Sequence, residues 1–252
     1  MNSPSISVII ITRNEANNLP DCLRSVAFCN EIILVDNDSE DETRAIAQAH
    51  GATVISSQHW PGFGLQKQRA LDAAHGDWVL SLDADERVTA ELASQIIAAT
   101  QASDVDGYWI NRKSQFLGKW MRHGGWYPDR LLRLARRSKA KFDPTPIHEK
   151  MLVTGKTATL SAPILHFSYR SIEDVLTKQK NYSLAGAAKK RGAGASANLL
   201  TALGLGIWTF TRAYLFRLGF LDGSQGFVAA VTKSQETFWK YLAVAWPGDR
   251  SR

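Results

Sequence analysis

Cysteine is nearly absent: Cys22 and Cys29 are the only two in 252 residues. They lie seven apart, without zinc-ligand spacing, and two thiols make no disulfide framework, which fits a reducing compartment. No charge-free apolar run reaches 18 residues; the nearest, 199–211, is cut by Arg212 and again by Arg217, so no spanning helix is predicted. The N-terminus lacks the basic stretch and cleavage site of a signal peptide. No Gly-x-Gly-x-x-Gly follows the first strand, which argues against a dinucleotide-binding dehydrogenase. Repeats, low-complexity tracts and an obvious interdomain linker are missing too. The first 100 residues are poor in positive charge, with 6 Lys and Arg against 14 Asp and Glu. Such a half suits phosphate only through a bridging cation. The remainder reverses the balance, 24 against 10, and suits an anionic surface such as acidic lipid or a phosphorylated substrate. With no recognised nucleic-acid motif, a basic nucleic-acid-binding module is the weaker alternative.

What is present is organised around Trp78–Arg87, Trp-Val-Leu-Ser-Leu-Asp-Ala-Asp-Glu-Arg. Its apolar start predicts a buried strand, and its end releases Asp83, Asp85 and Glu86. Strands that empty into polar groups at their C-terminal ends mark where open α/β sheets bind ligands. Carboxylates there are hard ligands for Mg²⁺ or Mn²⁺. An acidic turn alone could equally be solvated surface. Upstream, strands are predicted over 6–11, 31–35 and 52–56, with helices near 19–26, from a Ser39/Glu42 capping box to about His50, and over 65–74. Strands alternating with helices predict an α/β fold, a mostly parallel sheet with helices on both faces. Two strands end in carboxylates, Asp36 and Asp83, and like charges gathered at one edge require a cation or donor-rich ligand.

After a helix near 89–100 the texture changes. Residues 107–115 alternate as an antiparallel or edge strand, 130–134 is another strand, and 151–153 with 157–160 suggests a short hairpin around Thr154-Gly155-Lys156. From Ser171 onward everything reads as helix: 171–190, 199–220 and 225–245. The second carries Trp208, Phe210, Tyr214, Phe216 and Phe220 with Arg212 and Arg217, a pattern for a helix lying in a membrane interface or packing on the domain.

Strand–Thr-Arg-Asn-Glu, strand–Asp-Asn-Asp-Ser-Glu-Asp-Glu-Thr, a Lys/Arg-bearing helix and strand–Asp-Ala-Asp-Glu together resemble glycosyltransferase family 2, inverting A-type nucleotide-sugar transferases, over roughly residues 5–170. Gly-Gly-Trp-Tyr-Pro-Asp-Arg-Leu-Leu-Arg-Leu, Ile-His-Glu-Lys and Gly-Phe-Leu-Asp-Gly (219–223) resemble the branch of lipopolysaccharide inner-core glucosyltransferases, whose acceptor is a heptose of lipid-linked core. The resemblance implies a donor half over 1–100, an acceptor half over 101–170 and a helical, membrane-surface extension over 171–252. It places Thr12, Arg13, Glu15 and Asp36 at uracil and ribose, Lys67 and Arg69 near ribose or phosphate, Asp83 at the ribose and Asp85 at the metal. His123-Gly124-Gly125 resembles the glycine loop that shapes the sugar pocket, and His166 a late histidine completing the metal–diphosphate site. Glu149 falls at the acidic base, although this chain writes His148-Glu149 where many relatives write Glu-Asp. A location on the cytoplasmic face of the inner membrane follows from the same likeness.

Inverting transfer needs a carboxylate to take the acceptor proton, a cation for the departing diphosphate and aligned sugars. Glu149, with Asp129 next, serves the first; Mg²⁺ or Mn²⁺ on Asp85 the second. Trp120, Trp126 and Tyr127, with Asp129, are candidates for holding the acceptor. Each has a plainer alternative: Glu149 as partner of Lys150 or Arg133, His166 as a core histidine, the tryptophans as packing anchors. Other acceptors, a polyprenyl phosphate, another surface polysaccharide or a protein, fit the same residues.

Overall fold

A computed structural model describes residues 4–144 and 150–247. The chain forms two compact units, 1–112 with 129–166, and 113–128 with 167–252. Residues 101–170 therefore contribute to both.

The first unit opens with β1 (Ile6–Thr12), α1 (Leu19–Ser25), β2 (Glu31–Asp36), α2 (Thr43–Ala49), β3 (Thr53–Ser56), α3 (Phe63–Asp72) and β4 (Trp78–Asp83). β3, β2, β1 and β4 lie side by side in that order and are parallel. Successive side chains of a strand face opposite ways, so β1 feeds two cores. Ile6, Val8 and Ile10 pack with Leu19 and Leu23 of α1, Ala47 of α2, and Leu92 and Ile96 of α4 (Ala90–Thr100). Ile9, between them, joins Ala70 and Leu71 of α3 on the other face. The α/β sheet with helices on both faces is as the sequence predicted.

Beyond β4 the sheet continues through antiparallel strands: β8 (Asp129–Arg136) pairs with β4, and β6 (Gly107–Phe116) with β8. The short β5 (Glu86–Arg87) pairs with β12 (Ile164–Tyr169), bringing His166 opposite Glu86. The predicted hairpin does not form. β10 (Met151–Val153) pairs instead with β9 (Ala140–Phe142), where Met151 and Phe142 are buried together, and β11 (Thr157–Thr159) runs parallel to β6. The capping box is also replaced. Ser39 gives its hydroxyl to the Asp36 carboxylate, a buried acceptor three residues away, and Glu42 takes the N-cap with no side-chain cap. Burial pushes the Cys29 thiol up to about 12 and raises Cys22 further, so both stay protonated.

The second unit includes β7 (Lys119–Trp120) and three helices, α5 (Ile172–Gly192), α6 (Leu199–Thr211) and α7 (Gly223–Ala245). Ser171 and Asp174 form a capping box at the start of α5. α7 packs on both other helices. Phe116, Met121, Val175 and Ala229 make a small core with Trp126 and Tyr169 against it. The helix begun by α6 does not stop at Arg212 but continues as a π-turn over Arg212–Phe216. Leu199–Phe216 is thereby long and apolar enough, by length and composition, to cross a membrane, with 17% of it buried. The break expected at Arg212 is therefore not a break in the helix. One arginine does not end a helical run whose backbone bonds are already made.

Leu80 lies fully buried at the centre of β4. Leu80→Ala should cost about 3 kcal/mol, seen as a lower urea midpoint at unchanged m-value.

Candidate active site

β4 delivers Asp83 to the C-terminal edge of the parallel strands, and the chain turns at once into β5. Arg87 pins this turn, its guanidinium donating to the carbonyls of Ala84 at 2.9 Å, Glu86 at 2.8 Å and Asn18 at 2.7 Å. The Asp83 amide donates to Glu86 Oε2 at 2.9 Å. Lys67 of α3 donates to Asp83 Oδ1 at 2.9 Å, and Arg133 of β8 to Asp83 Oδ2 at 2.9 Å. The same Arg133 nitrogen donates to Glu86 Oε1 at 2.7 Å, and Arg112 of β6 stands 3.5 Å from that oxygen. Arg112 also holds Asp129 Oδ2 through two N–H groups, at 2.9 and 2.8 Å.

These carboxylates differ in exposure. The Asp83 side chain is 31% exposed, whereas Glu86 is fully buried. Burial would raise Asp83, but the charges of Arg133 and Lys67 outweigh it and hold the carboxyl well below the usual range. For Glu86, burial wins over Arg133, and the neighbouring Asp83 charge adds to it, so its carboxyl is raised. The outer carboxylate is thus fixed as an anion while the inner one anchors the arginines beneath it.

Asp85 points elsewhere: its Oδ2 lies 3.2 Å from Nε2 of His166. Both side chains are partly exposed, 18% and 11%. The sequence-predicted metal residues therefore meet, although 81 residues apart in the chain. The carboxylate oxygen is a hard donor suited to Mn²⁺ or Mg²⁺, and the imidazole nitrogen beside it is a softer donor that could add to a carboxylate-held metal. Among the described residues no group of three or more His, Cys, Asp or Glu is placed to hold a metal. The pair would supply only part of a metal's shell and leave the remaining positions to other donors.

The loops after β1 and β2 are laced together. Thr12 and Asp36 are opposite in register, and the Thr12 hydroxyl donates to Asp36 Oδ1 at 3.2 Å. The Ser39 amide donates to Asp36 Oδ2 at 2.9 Å, the Asn14 amide to Ser39 Oγ at 2.9 Å and the Glu15 amide to Thr43 Oγ1 at 2.8 Å. Asn14 and Asp38 take left-handed backbones, φ 55° and 57°, which their residue types tolerate. Asp36 is fully buried, so it organises these loops from beneath; Arg13 is exposed above. Lys67 reaches Asp83, but Arg69 does not: its guanidinium is held by Ser57 Oγ and by Gln66 Oε1 at 2.8 Å.

In the second unit the His123-Gly124-Gly125 loop is fastened from below. Asp222, nearly fully buried, accepts the amides of Arg122 at 3.0 Å and His123 at 2.7 Å, and its Oδ1 lies 3.2 Å from His123 Nδ1. Burial would raise its carboxyl, but these bonds outweigh it and lower it. The Gly124 amide donates to the Arg217 carbonyl at 2.8 Å. Trp126 packs on Phe116 and Tyr169 at 5.5 and 5.7 Å, and Trp120 on Phe167 at 5.2 Å, while Tyr127 precedes Pro128 through a cis bond. All three aromatics belong to this unit, and Asp129 to the first. Glu149, the predicted base, lies outside the described residues.

Sequence reasoning missed Arg112, Arg133 and the anchoring role of Glu86. Arg133 stands in Arg-Leu-Leu-Arg-Leu, where alternation gives its face but not its partner. The one available signal was the crowd of acidic groups, which demanded buried cations from somewhere in the basic half.

Residues 7–156 match the sequence model of Glycosyl transferase family 2. The chain is 32% identical over 244 residues to the uncharacterized glycosyltransferase RP128 of Rickettsia prowazekii, spanning 90% of this chain and 82% of that one. It is 29% identical over 246 residues to the lipopolysaccharide core biosynthesis glycosyltransferase LpsC of Rhizobium meliloti, spanning 92% and 89%. The crystal structure of S. aureus TarS 1-349 in complex with UDP-GlcNAc matches with a TM-score of 0.53 at 14% identity, over 98% of this chain and 93% of that one, a likeness of fold.

Because Asp83 is held below its ordinary value of 3.8, its stabilisation is complete above that value and disappears as pH falls through the lower native one. Asp83→Asn should therefore weaken urea resistance at neutral pH, and the gap to wild type should close in strong acid. Asp222→Ala should speed hydrogen exchange at the Arg122 and His123 amides by about tenfold, the loss of a charge-assisted bond.

Proposed function

The chain belongs to glycosyl transferase family 2, and from that premise we propose that it is an inverting transferase that moves glucose from UDP-glucose to a heptose of lipid-linked lipopolysaccharide inner core. One observation carries the proposal: at the end of the central strand, Lys67 and Arg133 fix Asp83 as an anion, and two residues further along the same turn Asp85 meets His166. Asp83 supplies a charged acceptor for the donor's ribose hydroxyls. Asp85 and His166 would hold Mg²⁺ or Mn²⁺, which when bound offsets charge on the departing diphosphate. The loops built on Asp36 present Thr12, Arg13 and Glu15 to the uridine. Glu149 takes the proton from the acceptor hydroxyl as it attacks the anomeric carbon; Asp129, the other candidate, is already engaged by Arg112.

The acceptor is supported by the likeness to LpsC, whose name places that relative in lipopolysaccharide core biosynthesis. The nucleotide is supported by the UDP-GlcNAc bound to TarS, a protein of the same fold. The basic balance after residue 100 and the exposed apolar helices support a peripheral place on the cytoplasmic face of the inner membrane.

The deciding experiment measures UDP release from a panel of UDP-sugars with and without Mn²⁺ or Mg²⁺, then transfer to heptose-bearing core lipid. UDP-glucose should be preferred, and Asp85→Ala should lower metal-dependent turnover by about 100-fold or more. Glu149→Gln should lower transfer by about 10²–10⁴-fold while UDP-glucose binding persists. Full activity of Asp85→Ala, or release that ignores metal, would overturn the metal assignment. Transfer to a polyprenyl phosphate in place of core lipid would overturn the acceptor.

A further inference from the structure

Within the second unit α5 and α7 line an open-sided cavity of about 550 Å³, inside the ~300–1,000 Å³ of small-ligand sites. Its walls are mainly apolar, with Leu176 and Leu184 from α5, and Trp239, Leu242 and Trp246 along and just past α7. Four of these remain half exposed or more: Leu176 59%, Leu184 53%, Trp239 51% and Trp246 61%. The buried polar groups of the lining are already engaged. Gln179 Nε2 donates to Gln235 Oε1 at 3.2 Å, and the Ser183 hydroxyl to the Glu236 carbonyl at 3.2 Å. Such walls suit hydrocarbon better than a sugar or peptide, whose polar groups would go unpaired.

Charge narrows the occupant. α5 and α7 together carry seven Lys and Arg against three Asp and Glu, and one of the seven, the exposed Lys180, lines the cavity. Exposed tryptophans beside lysines are the side chains that settle at headgroup depth, ring in the apolar layer and ammonium among phosphates. The same unit exposes half of Leu199–Phe216, with Leu200 77% and Ile207 67% accessible.

We propose that this cavity takes one acyl chain of an anionic membrane phospholipid, with Lys180 paired to the headgroup phosphate. The inference rests on the membrane-surface part of the proposed function and adds a defined lipid site to it. An acyl chain seated there would hold the unit on the bilayer in one orientation, which a flat apolar face alone does not do.

The test mixes the whole chain with phosphatidylglycerol vesicles in which one acyl chain carries a photoactivatable diazirine, with no sugar donor present. Mass spectrometry should place the label on Leu176, Trp239 or Leu242. Ala243 also lines the cavity, so Ala243→Trp, which fills it, and Leu184→Asp, which puts a charge on its exposed rim, should each lower that label by about tenfold. Far-ultraviolet circular dichroism checks folding, and two variants of different exposure keep the result decisive if one misfolds. Label confined to α6, at Leu200 or Ile207, would overturn the cavity and leave membrane association standing. No label anywhere would overturn both, and equal label from phosphatidylcholine vesicles would overturn the anionic headgroup. UDP release is measured separately, so an inactive transferase that still takes label leaves the lipid site intact.

Discussion

A buried carboxylate needs hydrogen-bond donors or cations around it, and Glu86 is met by arginines. Fully enclosed, it draws Arg133 from β8 and Arg112 from β6 toward the end of β4. Arg133 then bridges outward to Asp83, and Lys67 closes from the helix on the other side of the turn. The result is a graded acid pair in which the inner member is raised by burial and the outer one lowered by charge. Removing Arg133 would take from Glu86 its hydrogen-bonded cation and from Asp83 one of its two, so this one residue both ties β8 to the end of β4 and presents Asp83.

Much of this was legible in the chain. β-branched runs and the carboxylates that end them located β1, β2 and β4, because a strand buried on both faces must be apolar throughout and its polar exit must face the ligand side. Asp85 and His166 were paired by likeness alone, and their approach depends on β12 returning beside β5. What escaped were the partners. Periodicity tells which side of a strand Arg133 leaves from, not which of fourteen acidic groups in the first hundred residues it meets. Arg69 illustrates the opposite error: two residues from Lys67 on a helix, it faces a different direction and serves Ser57 and Gln66.

Short segments failed for a related reason. Ser39 with Glu42 is a sound local capping signal, yet the buried Asp36 carboxylate is a stronger partner for the Ser39 hydroxyl than a surface helix end. Met151–Val153 and Thr157–Thr159 read as a hairpin, but each pairs with another strand, β9 and β6. Arg212 interrupted a composition window and not the helix itself. In the first two cases a tertiary contact outcompeted a local rule worth about 1 kcal/mol or less.

The separation of charge along the chain has a consequence for synthesis. The acidic half leaves the ribosome first, carrying Asp83 and Glu86 without Arg112 or Arg133, which follow 26 and 47 residues behind Glu86. Until those arginines emerge, the nascent strand β4 ends in mutually repelling groups that cannot be enclosed. Closure of this sheet edge therefore waits on the basic half of the chain.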